Sequence, residues 1–133
     1  MTVSQRPRAG LIDPRFFRVL WLLAALVSGC GQARTTKPEQ AVVALYRAAD
    51  RGDCAAAAAV LASGRPAALA RDPTSCAGLI AELNHHPLRQ VREVAPDGRL
   101  PGKQLVTVAL AGTQVPRTFT VAVENRQWKV TQF

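Results

Sequence analysis

The chain has 133 residues and carries 17 lysines and arginines against 9 aspartates and glutamates, a formal net charge of +8. A length of this order excludes two sizeable hydrophobic cores. The basic residues are scattered among acids, with no dense run and no aromatic pairs placed to stack on bases, which argues against a nucleic-acid partner.

The first informative stretch is Val19-Leu20-Trp21-Leu22-Leu23-Ala24-Ala25-Leu26-Val27, entered behind Arg15 and Arg18 and closed by Ser28-Gly29-Cys30. A membrane-spanning helix needs roughly 20 apolar residues, and this run offers about half that. A basic segment, a short apolar segment and small residues before a cut are the marks of an export leader. A plain secretory leader would explain the apolar run equally well, but it would not ask for a cysteine directly after Ser-Gly. Val27-Ser28-Gly29-Cys30 resembles the lipobox of bacterial lipoprotein signal peptides. That resemblance implies cleavage after residue 29, a diacylglyceryl group and further fatty acid such as palmitate on Cys30, and a location at the outer face of the cytoplasmic membrane. Two or three acyl chains anchor firmly, since each buried methylene adds about 0.8 kcal/mol.

Arg6, Arg8, Arg15 and Arg18 against Asp13 place +3 of the charge on residues 1–29 and leave +5 on residues 30–133. That remainder reads as an ordinary soluble surface, with contact to anionic head groups as the alternative. Residues 30–37 form a short polar tether, and residues 38–133 are enough for one domain with a modest core. Export also resolves the odd cysteine count. With Cys30 taken by lipid, Cys54 and Cys76 are left as one pair in an oxidising compartment. Closing a loop of about 23 residues stabilises by roughly 3 kcal/mol. The alternatives, a reactive thiol or a metal site, lack a partner pattern: there is no Cys-x-x-Cys, and His85 and His86 are adjacent. No metal or cofactor is expected.

Thr36-Lys37-Pro38-Glu39 matches a capping box with Thr36 at the cap and Glu39 reaching back, and Ala41, Val42, Leu45, Tyr46 and Ala49 recur at helical spacing. The first helix is therefore predicted over 38–51, stopped by Gly52, with Asp53 capping the next. The second helix is predicted from Cys54 to about Ala62, nearly all alanine, ended by Gly64 and Pro66. Residues 65–73 read as a connector with at most one turn, and a third helix is predicted from Ser75 to Asn84, carrying Cys76, Leu79, Ile80 and Leu83. Arg51-Gly52-Asp53 spells an adhesion tripeptide, but a helix stop followed by a helix cap asks for the same three residues. His85 and His86 read as complements to the carbonyl end of the third helix.

From Leu88 the period changes to 2. Strands are predicted over 88–95, 104–111, 115–124 and 128–133, with a turn at Pro96-Asp97-Gly98. Val106, Val108 and Leu110 face one way, as do Val115, Phe119, Val121 and Val123, and Trp128 and Val130 are expected to point inward. The predicted fold is α+β: three N-terminal helices packed on a curved four-stranded antiparallel sheet.

That order, with the closing strand pair from Phe119 to Val130, resembles the cone-shaped α+β domains related to nuclear transport factor 2. In particular it is similar to small lipoproteins of actinobacteria. The resemblance implies a cavity between helices and sheet that holds a small apolar ligand, hosts an isomerase or dehydratase, or is replaced by a surface for assembly with another envelope protein. Tyr46, Phe119 and Trp128 are the expected pocket residues. An enzyme in this cavity would draw on Tyr46 and Asp50, one helical turn apart, for proton transfer. The supply of acids and bases is thin, so the expected role is a non-enzymatic binding or interaction module anchored to the membrane.

Overall fold

A computed structural model describes residues 35–133; the leader, Cys30 and most of the tether lie outside the described residues. The described chain is α+β, with four helices and a four-stranded antiparallel sheet. In chain order these are α1 (Pro38–Arg51), α2 (Cys54–Val60), α3 (Arg65–Arg71), α4 (Pro73–His85), β1 (Leu88–Pro96), β2 (Lys103–Leu110), β3 (Arg117–Glu124) and β4 (Gln127–Gln132). The strands lie in sequence order, β1-β2-β3-β4.

α1 forms because an apolar stripe recurs at helical spacing and both ends are satisfied locally. Its capping residues fall one position later than expected. Pro38 opens the helix, so Lys37 stands at the cap, and Gln40 rather than Glu39 reaches back, its Oε1 accepting from the amides of Thr36 (2.8 Å) and Lys37 (3.0 Å). At the other end Gly52 adopts φ 65°, and the Gly52 and Asp53 amides donate to Ala49 and Ala48 carbonyls. Asp53 then caps α2, accepting from the Ala56 amide at 3.0 Å.

The count of three helices is corrected to four. Pro66, read from the sequence as ending a helix, and Pro73, read as the close of a connector, instead stand in the first turns of α3 and α4, because a proline there lacks only an amide that has no helical partner. Gly64, at φ 94°, caps α3, and Asp72 caps α4 by accepting from the Ser75 amide at 2.9 Å. α2 stops at Val60, two residues earlier than expected. Leu61 turns extended (ψ 144°) and bridges Val130 in parallel, and the Ala62 amide donates to the Val130 carbonyl at 2.9 Å. A chain that would have continued as helix is diverted because the outer edge of β4 offers unpaired backbone groups.

The core lies between the helices and one sheet face. Val42 and Leu45 of α1, Leu83 of α4, Val106 and Val108 of β2, Phe119 and Val121 of β3, and Val130 of β4 are fully buried. Two expectations fail at the rim: Val115 lies ahead of β3 and is 72% exposed, and Val123 is 55% exposed although it shares the inward register. The helices do not extend over either end of β3, Val115 preceding its start and Val123 standing near its finish.

Cys54 and Cys76 are joined, pinning the start of α2 to the first turns of α4 across a sequence separation of 22. α2 and α3 are rich in alanine, which buries little apolar area per residue, so this link stands in for side-chain packing. Replacing both cysteines with serine is expected to lower unfolding stability by about 3 kcal/mol, read as a lower urea midpoint with a steeper slope, because the uncrosslinked unfolded chain exposes more surface.

Candidate functional site

Four side chains of α1, Val43, Tyr46, Arg47 and Asp50, fall on one helical face at spacings of three and four. Together with Asn84, Pro87 and Leu88 from the end of α4 and the start of β1, they line a cleft of about 310 Å³. Asn84 fixes the two walls relative to each other, its Nδ2 donating to the Ala49 carbonyl at 2.9 Å. His86 anchors the same junction from behind: its Nδ1 lies 3.0 Å from the Ala111 carbonyl. Gly112 (φ 80°) is needed there, since a Cβ at that position would stand 3.2 Å from the same nitrogen.

Tyr46 belongs to both core and cleft. Its ring meets Phe119 edge to face, centroids 5.9 Å apart, and only 6% of the residue is exposed. Arg117 lies over the other aromatic, 5.1 Å from the Phe119 centroid, and pairs with Glu82 at 3.0 Å. The pair is partly solvated, so its worth is below about 1 kcal/mol. The Tyr46 hydroxyl is buried and has no hydrogen-bond partner. Burial pushes its pKa up from the usual value, and the nearby Arg117 charge and a loose polar contact with that guanidinium oppose the rise without supplying a well-formed hydrogen bond.

Of the sequence-predicted residues, Tyr46 and Asp50 come together in the cleft. Phe119 touches Tyr46 but is fully buried in the core, and Trp128 is absent from the cleft lining; it pairs with Val123 and exchanges two hydrogen bonds with Thr35. Arg47 and Val43 were within reach of sequence reasoning, being one helical turn from Tyr46 and Asp50. Asn84, Pro87 and Leu88 were not, because their place depends on how α4 lies against α1.

The cleft presents an apolar floor, a guanidinium, a carboxylate, a carboxamide and an orphan phenol. That set suits a small amphipathic molecule or a partner's side chain that offers an acceptor to Tyr46. Asp50 is open to solvent, and among the described residues no carboxylate is buried. The apolar enclosure that proton-transfer sites build round a carboxylate is not formed at Asp50. Among the described residues there is no cluster of histidine, cysteine and acidic groups able to hold a metal ion, and no helix is long and apolar enough to cross a membrane.

An unpaired buried hydroxyl costs about 1–3 kcal/mol. Tyr46→Phe is therefore expected to raise unfolding stability by about 1 kcal/mol in urea titrations; a loss of that size would mean that the hydroxyl has a partner. The pH dependence has a definite sign. A phenol whose pKa is higher folded than unfolded contributes stability that is complete below pH 10 and is lost as pH rises through the folded value. The wild-type protein should weaken in alkaline solution above about pH 10, and Tyr46→Phe should remove that part of the decline.

Comparison of the chain with protein-family models, with curated proteins and with solved structures finds no match.

Proposed function

We propose that this protein is a lipoprotein of the bacterial cell envelope, acylated on Cys30 and held at the outer face of the cytoplasmic membrane. Its domain is a non-enzymatic module that binds a small amphipathic or apolar molecule, or a side chain of another envelope protein, at the cleft beside Tyr46. The observations that carry the binding role are an open cleft that Tyr46 helps to line and a buried Tyr46 hydroxyl that has no hydrogen-bond partner. A ligand that supplies an acceptor would recover the hydrogen bond that the free protein forgoes.

The likeness to the cone-shaped relatives of nuclear transport factor 2 is supported by helices gathered on one face of a four-stranded antiparallel sheet. It is also supported by register shifts in β1 and at Thr120 of β3, since bulges bend a sheet. Where such a cone would be hollow, Phe119, Leu45, Leu83 and Val121 fill the interior. That filling favours a module that binds at its rim over an enzyme that encloses its substrate.

One observation favours the enzymatic alternative, an isomerase or dehydratase: Tyr46 and Asp50 share the cleft. Turnover of an enolisable compound that is lost in Tyr46→Phe and Asp50→Asn variants with normal unfolding would establish it.

Two measurements test the main reading. Cys30→Ala is expected to leave an unprocessed precursor, visible as a longer, unacylated chain by intact-mass analysis; processing at the normal site would overturn the acylation. Native mass spectrometry of the processed protein from its own membranes is expected to show a bound mass whose retention falls about fivefold in Tyr46→Phe, the equivalent of one net hydrogen bond. A protein that carries nothing and captures no envelope partner would overturn the binding role.

A further inference from the structure

Strand register places a particular set of residues at one end of the sheet. β1 ends at Pro96 opposite Gln104, Lys103 stands opposite Ala122, and Val123 stands opposite Trp128. The two turns at this end are therefore Asp97–Gly102 and Asn125–Arg126. The second is a two-residue hairpin loop with both residues at positive φ (53° and 64°), a conformation that projects Arg126 at the tip. The first turn is braced by the Asp97 amide donating to the Lys103 carbonyl at 2.9 Å and by the Arg99 amide donating to Asp97 Oδ1 at 2.9 Å.

The chain enters the domain at this same end. The Trp128 amide donates to the Thr35 carbonyl at 2.9 Å, and Thr35 Oγ1 donates to the Trp128 carbonyl at 2.7 Å. Thr35 is 1% exposed, so the first described residue is locked to the start of β4. Only Gly31, Gln32, Ala33 and Arg34 separate it from Cys30. Five Cα steps span at most about 18 Å, less than the width of the domain.

We propose that this end of the sheet is a membrane-docking face that rests on the anionic leaflet to which Cys30 is tethered, an inference that depends on the acylation proposed above. Its chemistry fits that partner. Lys37, Arg99, Lys103 and Arg126 are gathered here, and Leu100 (41% exposed) and Val123 (55% exposed) offer apolar surface between them. The acids at the same end are Glu39, Asp97 and Glu124. Asp97 is turned onto its own loop, and both Glu124 carboxylate oxygens accept from the Ser63 amide at 3.1–3.2 Å. Each basic residue near an anionic leaflet is worth about fivefold in occupancy of the docked orientation, and the short tether removes most of the search. Docking at this end leaves the cleft, built at the α4–β1 junction and so at the opposite end of β1, turned toward the cell exterior.

Trp128 provides a native reporter, because the chain's other tryptophan, Trp21, lies in the leader. The processed, acylated protein, residues 30–133, is reconstituted into vesicles of phosphatidylcholine alone or with phosphatidylglycerol, each carrying acyl chains brominated near the head group. Trp128 emission is expected to be quenched more strongly in the phosphatidylglycerol vesicles, with the excess lost at high salt and in an Arg99→Glu, Lys103→Glu, Arg126→Glu variant. That variant must retain the wild-type urea midpoint; should it not, the salt dependence of the wild type decides. Equal quenching in both vesicles by a protein whose mass shows the lipid on Cys30 overturns the docking face alone. A mass without lipid overturns the acylation, and the docking face with it.

Discussion

The structure depends on the apolar stripe of α1 lying across the sheet. Ala41, Val42, Leu45, Tyr46, Ala48 and Ala49 are buried along this one helix, which touches all four strands. Burying a valine or leucine side chain contributes about 1.5–3 kcal/mol, and Val42, Leu45 and Tyr46 meet the residues of β2 and β3 that are themselves fully buried. No other helix is matched to the sheet in this way. α2 and α3 touch β4 but offer mainly alanine, and α4 packs on α1 and on the other helices. The helical layer is thus one well-packed helix with the others gathered round it: Asn84 ties α4 to α1 through the Ala49 carbonyl, the Cys54–Cys76 bond ties α2 to α4, and Lys129 Nζ ties α2 to β4 through the Ala59 carbonyl.

The two edges of the sheet are treated differently, and this difference orders the molecule. The β4 edge is covered: Thr35 bonds to Trp128, and Leu61 and Ala62 bond to Val130. The segment before α1 and the segment after α2 serve as short pieces of strand. Among the described residues no strand pairs with the β1 edge, which is guarded by Arg89, Arg92 and Glu93 and by two register shifts that discourage pairing with another chain. Covering β4 with the entering chain also fixes where residue 35 joins the domain, beside the start of β4.

The site follows from the same constraint. Because α1 crosses from β4 at its start to the beginning of β1 at its end, its polar last turns overhang the α4–β1 junction and leave a cleft there. Tyr46 sits where the buried stripe meets that overhang. The ring is required by the core, where it meets Phe119, and the hydroxyl is left at the boundary without a partner. A phenylalanine would serve the core alone, and the hydroxyl adds the cost of an unpaired buried group.

The sequence by itself determined what is local or periodic. The α1 stripe, the Gly52 stop and the Asp53 cap were legible because each depends on residues within a turn of one another, and the change of period at Leu88 marked the sheet. The pairing of Cys54 with Cys76 was expected once the lipobox resemblance set Cys30 aside. Tertiary structure decided the rest. Pro66 and Pro73 begin helices because the preceding residues, Gly64 and Asp72, are free to cap them. Leu61 leaves its helix because β4 needs an edge partner, and Val123 stays exposed because the helices end short of it. Trp128, grouped by the sequence with Tyr46 and Phe119, is drawn to Thr35 instead. The outcomes at Leu61, Val123 and Trp128 turn on an unpaired backbone group or an uncovered face supplied by a segment distant in the chain, whereas the Gly64 and Asp72 caps are local and lay within reach of the sequence.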